Sequence, residues 1–349
     1  MPEHFFTLSD AERRDVLEVA SNKSGRPVHL LEKDIWVVWA LEVLFTSEIG
    51  HHLVFKGGTS LSKAYQAIDR FSEDVDLTYD IRAIASDLVS GSVAALPRSN
   101  SQADTWTRAI RERLTLWTKQ TAAPLLEAAA EVSDSRAMVA VTDDTIEINY
   151  APLMTYGTGY VSPIVKLEFG ARSTGEPWEV HEISCDVAPH VSGVSFPIAT
   201  SQVMKAERTF WEKATSIHVY CVGGRFRNTT RFSRHWYDLT RLARIGCAGR
   251  AIDDQSLAEQ VAHHKSRFFR EKDGNGLVID YLSVVKGAIR LIPEDTHRDE
   301  LADDYRRMTD DGLLVEPVES FDELIAECER LQDSMNGPAP KSANSAPQS

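Results

Sequence analysis

Little in this sequence points to a membrane, a disulfide scaffold or a zinc site. Its 349 residues include only four cysteines, Cys185, Cys221, Cys247 and Cys328. None has the paired spacing of a metal knuckle, so they read as reduced thiols of a cytoplasmic protein. The pairs His51-His52 and His263-His264 lack a carboxylate or cysteine at a ligand spacing, which argues against zinc. No apolar run is long enough to span a bilayer. The opening MPEHFFTLSDAERRDV lacks the basic start and apolar stretch of a secretory signal. There is no internal repeat. Positive charge is also scarce: 38 Lys and Arg against 52 Asp and Glu leave a net charge of -14. Taken alone, that balance argues against a nucleic-acid partner.

What is present is an ordinary globular composition, 42% hydrophobic and 26% charged, at a length that suggests about two domains. The charge is unevenly placed. Lys205 to Arg250 holds ten basic and three acidic residues, a balance of +7; Arg298 to Arg330 holds twelve acidic and four basic, a balance of -8. A basic middle and an acidic end permit one cationic face, and equally two solvated helical surfaces of opposite sign.

Along the chain, LSDAERRDVLEVAS shows an N-cap serine, Ser9, followed by helical spacing. HLLEKDIWVVWALEVLF reads as a helix apolar on more than one side and therefore well buried. HLVFKGG reads as a short strand entering a turn, and TSLSKAYQAI as a helix. VDLTY reads as a strand with Val75, Leu77 and Tyr79 on one face and Asp74, Asp76 and Thr78 on the other. A loop is expected from Ser90 to Asp104, then a helix that stops or restarts at Pro124. AMVAVTDDTIEINYAP has strand-turn-strand character, and PIVKLEFGAR and WEVHEISCDVAP read as two further strands. After Pro197 the pattern is read as mainly helical. The expected organisation is an N-terminal helix over 1–25, a core over 26–200, a helical domain over 201–335 that completes the site, and a disordered tail over 336–349.

The stretch FKGGTSLSKAYQAIDRFSEDVDLTYD, Phe55 to Asp80, carries the chemistry. Asp74 and Asp76 are two apart on a strand, so both project from one face, roughly 7 Å apart at the backbone. Paired carboxylates suit hard divalent cations such as Mg²⁺ or Mn²⁺, and two-ion sites of this kind drive phosphoryl transfer. Gly57 and Gly58 permit close approach of backbone to phosphate. Thr59 and Ser60 offer hydroxyl donors, Lys63 lies one turn on, and the start of the helix adds free N–H groups. Each feature alone is weak, and the bland alternative is a ligand-free turn beside ordinary charges. Their order across a helix-length spacer favours a metal–nucleotide site.

This stretch resembles the first motif of the AbiEii/AbiGii (MenT-like) nucleotidyltransferase toxins, whose catalytic core is like that of DNA polymerase β. The likeness continues through VKLEFGAR, ERTFWEKATSIH and RHWYDLTRL, and spans roughly Arg26 to Ile245. It implies an α/β (α+β) fold: a polymerase-β-like core with a mixed sheet, followed by a mainly helical C-terminal domain. It also implies transfer of a nucleoside monophosphate from an NTP. By this resemblance Gly58 and Ser60 fall on the Gly-Ser turn, and Asp74 and Asp76 on the metal pair. Lys213 falls on the second-motif lysine, Asp238 on the last-motif aspartate, and Ser72 on a position that antitoxin kinases modify in some members. Lys166 is a looser match. Two departures stand out: Trp236 and Tyr237 occupy places where many members carry a lysine before the aspartate, and the 90–104 loop has no counterpart.

A third carboxylate is expected on a neighbouring strand, and Glu168 and Asp186 both qualify, with Glu168 slightly preferred. Asp238 is expected to hold Lys213 or Arg234 in place, the latter one helical turn away. His235 reads as structural or stacked. The segment GGRFRNTTRFSR mixes Arg225, Arg227, Arg231 and Arg234 with Phe226 and Phe232. Such a mixture suits RNA, with arginine on phosphate and aromatics on bases, or a plain flexible loop. The expected function is nucleotidyl transfer to the tRNA 3′ end. That would block translation and imply a cognate antitoxin, either a binding protein or a kinase. The alternatives are nucleotidylation of a protein and a non-catalytic nucleotide-binding regulator.

Overall fold

The computed structural model describes residues 2–72, 74–92, 94–154, 162–223, 231–310, 313–314 and 318–337. The chain divides into two compact units, Met1–Thr209 with Arg307–Val318, and Phe210–Arg306 with Glu319–Ser349. This differs from a single cut near residue 200. The first unit keeps the N-terminal helix and takes back a short piece from far downstream, because Leu313 and Leu314 of that piece are buried there.

The first unit is a mixed α/β structure around a seven-stranded mixed sheet. In chain order its strands are β1 (Glu3–His4), β2 (Leu53–Lys56), β3 (Asp74–Tyr79), β4 (Met138–Thr142), β5 (Thr145–Asn149), β6 (Ile164–Gly170), β7 (Trp178–Ser184), β8 (Val194–Ser195) and β9 (Ile198–Met204). The sheet runs β4-β5-β6-β3-β2-β9-β7, and β1 pairs with β8 separately. Within the sheet β3 lies parallel to β6 and β2 parallel to β9, while the other neighbours are antiparallel. β9 corrects the helical expectation after Pro197. Its sequence IATSQVM alternates, burying Ala199, Ser201 and Val203, but small and polar residues mute a signal that β-branched residues would have made plain.

The helices of this unit are α1 (Asp10–Ser24), α2 (Val28–Thr46), α3 (Gly57–Lys63), α4 (Ile81–Ile84), α5 (Ser86–Val89), α6 (Asn100–Trp117) and α7 (Ala123–Ser133). Ser9 opens α1 with a capping box, its side chain accepting from the Glu12 N–H while Glu12 reaches back to Ser9. α2 is buried on nearly every side, including Leu31, Ile35, Val38 and Leu41 at 0% exposure. α6 begins at Asn100, inside the expected loop, because Ser99 caps it. A π-helical segment, Thr118–Ala122, joins α6 to α7. Pro124 sits in the first turn of α7, where its missing N–H leaves no bond unmade. In β3 the alternation is clear: Val75 and Leu77 are fully buried, and Asp74 and Asp76 are half-buried on the other face.

The second unit is mainly helical: α8 (Ala206–Cys221), which starts in the first unit, then α9 (Arg234–Arg244), α10 (Cys247–Asp253), α11 (Gln255–Phe268), α12 (Tyr281–Ser283), α13 (Asp295–Asp310) and α14 (Phe321–Asn336). Trp211, Trp236 and Tyr237 are among its largest fully buried side chains. Asp304 organises the start of α9, accepting from the Arg231 N–H at 2.7 Å, the Ser233 N–H at 3.0 Å and the Ser233 hydroxyl at 2.6 Å. All four cysteines are buried and free. Arg225, Phe226 and Arg227 lie outside the described residues, as does the tail from 338 onward. No described helix is long and apolar enough to cross a membrane.

Candidate active site

β3 delivers the two carboxylates that matter most, and the sheet register decides what stands beside them. Asp76 is opposite Lys56 on β2 and level with Glu168 on β6; Asp74 is level with Lys166. Partners at one register position point to the same side of a sheet. Across β5 the rows extend to Thr145 beside Glu168 and Glu147 beside Lys166, and Lys166 lies 3.8 Å from Glu147. One face therefore carries Asp74, Asp76 and Glu168 together, with Lys56 and Lys166 as flanking cations. Of the two residues weighed as a third carboxylate, Glu168 is the one in register with Asp76. Asp186 follows β7, three strands away in the sheet order, and accepts from Lys63 at 2.7 Å and from Arg26. Lys56 was missed in the sequence; its only signal is its place immediately before Gly57.

The double glycine at the start of α3 has a steric reason. Gly57 adopts φ +77, and a Cβ there would collide with the Asp76 carboxylate. A Cβ on Gly58 would strike the Arg70 guanidinium and come within 2.9 Å of the Ser72 hydroxyl. The turn is thus bare backbone beneath three polar side chains. Arg70 carried no assigned role in the sequence, and only its two-residue distance from Ser72 hinted at one.

Thr59 and Ser60 are placed differently from the expectation that they face a phosphate. Thr59 is 2% exposed and its hydroxyl donates to the Asp74 carbonyl. Ser60 is 0% exposed and donates to the Gly57 carbonyl at 2.9 Å. Each ties the turn to itself. Lys63 is likewise drawn inward, with Nζ 2.6 Å from Asp34 and 2.7 Å from Asp186. Asp34 comes from the apolar helix α2 and also accepts from the Asp186 N–H at 2.6 Å. Burial pushes the Asp34 carboxyl up to about 6 against the pull of Lys63. Asp186 is also penalised by burial, yet Lys63 and Arg26 together hold it below the usual carboxylate range. Burial alone would lower Lys63, but its two carboxylates outweigh that and raise it to about 12. Asp34 and Arg26 have no sequence signature in this cluster, because nothing local links residues 26, 34, 63 and 186. Beside the cluster lies a cavity of about 280 Å³ whose lining includes Lys63, Asp69, Arg70, Ser72 and Asp186.

In the second unit Lys213 and Asp238 meet, Nζ to Oδ2 at 2.7 Å. Asp238 is 0% exposed and Lys213 9%. Trp236 and Tyr237, beside this aspartate, are core residues, and Trp236 donates its indole N–H to the Leu291 carbonyl at 2.7 Å. Phe232 is buried against Tyr220, with ring centroids 5.0 Å apart, and so is core rather than a stacking platform for bases. His235 packs edge-on to Phe232 at 4.6 Å. Arg231 and Arg234 lead into α9.

Three carboxylates on two neighbouring strands, with a glycine turn beside one of them, gather oxygen donors on one face of the sheet. Hard oxygen donors fit Mg²⁺ or Mn²⁺. Among the described residues no group of three His, Cys, Asp or Glu side chains is placed to hold a metal ion; Mg²⁺ commonly takes one or two carboxylates and completes its shell with water and substrate phosphate. Residues 39–327 match the family described as "Nucleotidyl transferase AbiEii toxin, Type IV TA system", and the chain belongs to that family. It is therefore a toxin-type nucleotidyltransferase, and its system implies an antitoxin and an NTP substrate. No curated protein matches it. Among solved structures it is similar to MenT4, a nucleotidyltransferase toxin from Mycobacterium tuberculosis H37Rv, at 15% identity and TM-score 0.39, covering 94% of this chain and 97% of that one. JHP933 from Helicobacter pylori matches at 17% identity and TM-score 0.37, covering 88% and 89%. A putative nucleotidyltransferase from H. pylori matches at 16% and 0.39, covering 88% and 93%. Family membership rests on the sequence match, not on these global superpositions.

Proposed function

We propose that the chain transfers a nucleoside monophosphate from an NTP to the 3′ end of tRNA and so blocks translation. The observation that carries this reading is the shared face of Asp74, Asp76 and Glu168 beside the Gly57–Gly58 turn. In the transfer, an acceptor hydroxyl oxygen forms a bond to the α-phosphorus. The bond from that phosphorus to the α,β-bridging oxygen breaks, pyrophosphate leaves, and the hydroxyl proton passes to a carboxylate of the platform, for which Glu168 is best placed. Asp74 and Asp76 would hold a divalent cation, Mg²⁺ or Mn²⁺. When bound, that ion neutralises triphosphate charge and makes the acceptor hydroxyl more acidic. Gly57 lets the Asp76 carboxylate lie against the turn where the nucleotide is bound. Lys213, held by Asp238 at 2.7 Å, serves as a phosphate-binding cation, and Arg231 and Arg234 with the +7 segment contribute to RNA attraction. Ser72 is a regulatory position: phosphorylation there by a kinase-type antitoxin would place a dianion against the nucleotide turn. The setting is cytoplasmic.

The test is incubation with each NTP labelled at the α-phosphate, in the presence of total tRNA and of total protein. Label should enter tRNA with the wild type and fall by about four orders of magnitude in Asp76→Ala, on the order of 5 kcal/mol of barrier. Label in protein instead of RNA would redirect the acceptor. No label anywhere, together with an Asp74→Asn variant that still arrests growth, would replace catalysis with nucleotide-dependent regulation.

A further inference from the structure

We propose that Lys56 is a further catalytic residue, which stabilises the negative charge that gathers on pyrophosphate as it leaves. The proposal rests on the nucleotidyltransferase reading of the site and gives a role to a side chain which that reading leaves without one. Its basis is the order of one row across the sheet. Glu168 on β6, Asp76 on β3 and Lys56 on β2 stand at matched register positions of three adjacent strands. Neighbouring strands lie about 4.8 Å apart, so Glu168 and Lys56 flank Asp76 on opposite sides. The row reads acid, acid, ammonium. In an in-line displacement the attacking and leaving oxygens also lie on opposite sides of the phosphorus. With Glu168 on the side of the attacking hydroxyl, Lys56 is on the side of the departing oxygen.

The surroundings of Lys56 fit that place. It is the last residue of β2 and leads directly into Gly57, whose φ of +77 turns the chain into α3. Its side chain therefore starts at the rim of the nucleotide turn. Val54, two residues earlier on the same face of β2, is buried, and a Cβ on Gly175 would come within 2.6 Å of its side chain. The segment around Gly175 thus covers Val54, while Lys56 beyond it is only half-buried. Among the described residues no hydrogen bond or ion pair engages the Lys56 ammonium, whereas Lys166 in the next row lies 3.8 Å from Glu147. In the transfer, the bond between the α-phosphorus and the α,β-bridging oxygen breaks. Its electron pair stays on that oxygen, which becomes a terminal oxygen of pyrophosphate. Lys56 donates a hydrogen bond to it and keeps its own proton, as a compact ammonium on a flexible stem can.

The experiment is single-turnover transfer in Mg²⁺ from an NTP labelled at the α-phosphate to whichever acceptor the wild type labels, total tRNA or total protein. The NTP is compared with analogues whose β,γ-bridging oxygen is replaced by methylene, fluoromethylene or difluoromethylene, a series in which the leaving group becomes steadily more acidic. Lys56→Met should slow transfer from the natural NTP about 100-fold. Its loss should be largest with the methylene analogue and smallest with the difluoromethylene one, so that log rate against leaving-group acidity is steeper than in the wild type. Lys56→Arg, which keeps a cationic donor, should recover part of the rate and of the wild-type slope. Lys56→Gln is read on the same scale and decides the matter should the Met variant not fold. Parallel lines, whatever the size of the loss, mean that Lys56 supports the structure or balances the carboxylates, and they overturn the proposal. So does an unchanged rate in Lys56→Met. No transfer by the wild type to either acceptor overturns the nucleotidyltransferase reading itself, and the proposal with it.

Discussion

In the first unit Lys63 is shared by Asp34 and Asp186, and Asp186 is shared again with Arg26 at the solvent side. In the second unit Lys213 lies 2.7 Å from Asp238, and that aspartate is wholly enclosed. Both lysine side chains are nearly buried, but the carboxylates differ: Asp186 is partly open to solvent, whereas Asp238 is not. Removing a member of the enclosed pair strands a charge that water cannot reach, so that pair is the costlier one to break. In the first unit the solvent-facing side of Asp186 gives the charges access to water.

The largest break in the comparison is Asp238→Ala. With the enclosed Asp238 carboxylate removed from beside buried Lys213, unfolding free energy should drop by about 3–5 kcal/mol, read from urea denaturation. A loss below 1 kcal/mol would show that Lys213 finds another partner. Next comes Asp34→Asn, whose effect depends on pH. The Asp34 carboxyl is raised in the folded state to about 6, above its ordinary 3.8, so the unfolded chain ionises it first. Its contribution therefore disfavours folding increasingly as pH rises from about 4 to about 6. Relative to wild type, Asp34→Asn should gain on the order of 1–3 kcal/mol between pH 4 and pH 7, followed by urea midpoints at each pH. A trend of opposite sign would mean that Asp34 is held charged. The smallest effect is expected from Arg26→Ala. The Arg26 side chain is 42% exposed, so its ion pair should contribute less than about 1 kcal/mol and weaken further in high salt, as a thermal melt at two ionic strengths would report.

Much of the site was legible because it is local. Two acids at period two in an apolar strand, a double glycine one helix upstream and a capping serine before α1 are short-range patterns with direct physical meaning. VKLEF revealed Glu168 because a strand alternates. What escaped notice was everything set by long-range pairing. β9 hid behind small and polar residues, so its place between β2 and the edge strand β7 had no sequence signature. Asp34 looked like an incidental charge in an apolar helix, and only the fold brings it to Lys63. Thr59 and Ser60 were recognised as important residue types, but whether a hydroxyl faces a ligand or a carbonyl depends on a side-chain torsion that residue order does not reveal.

The two leucines at 313 and 314 carry a consequence for biosynthesis. A ribosome that has made the first three hundred residues has produced Asp74, Asp76 and Glu168, but not the piece that bonds to the loop before β3. Completion of the first unit is thereby deferred until after most of the second has been made.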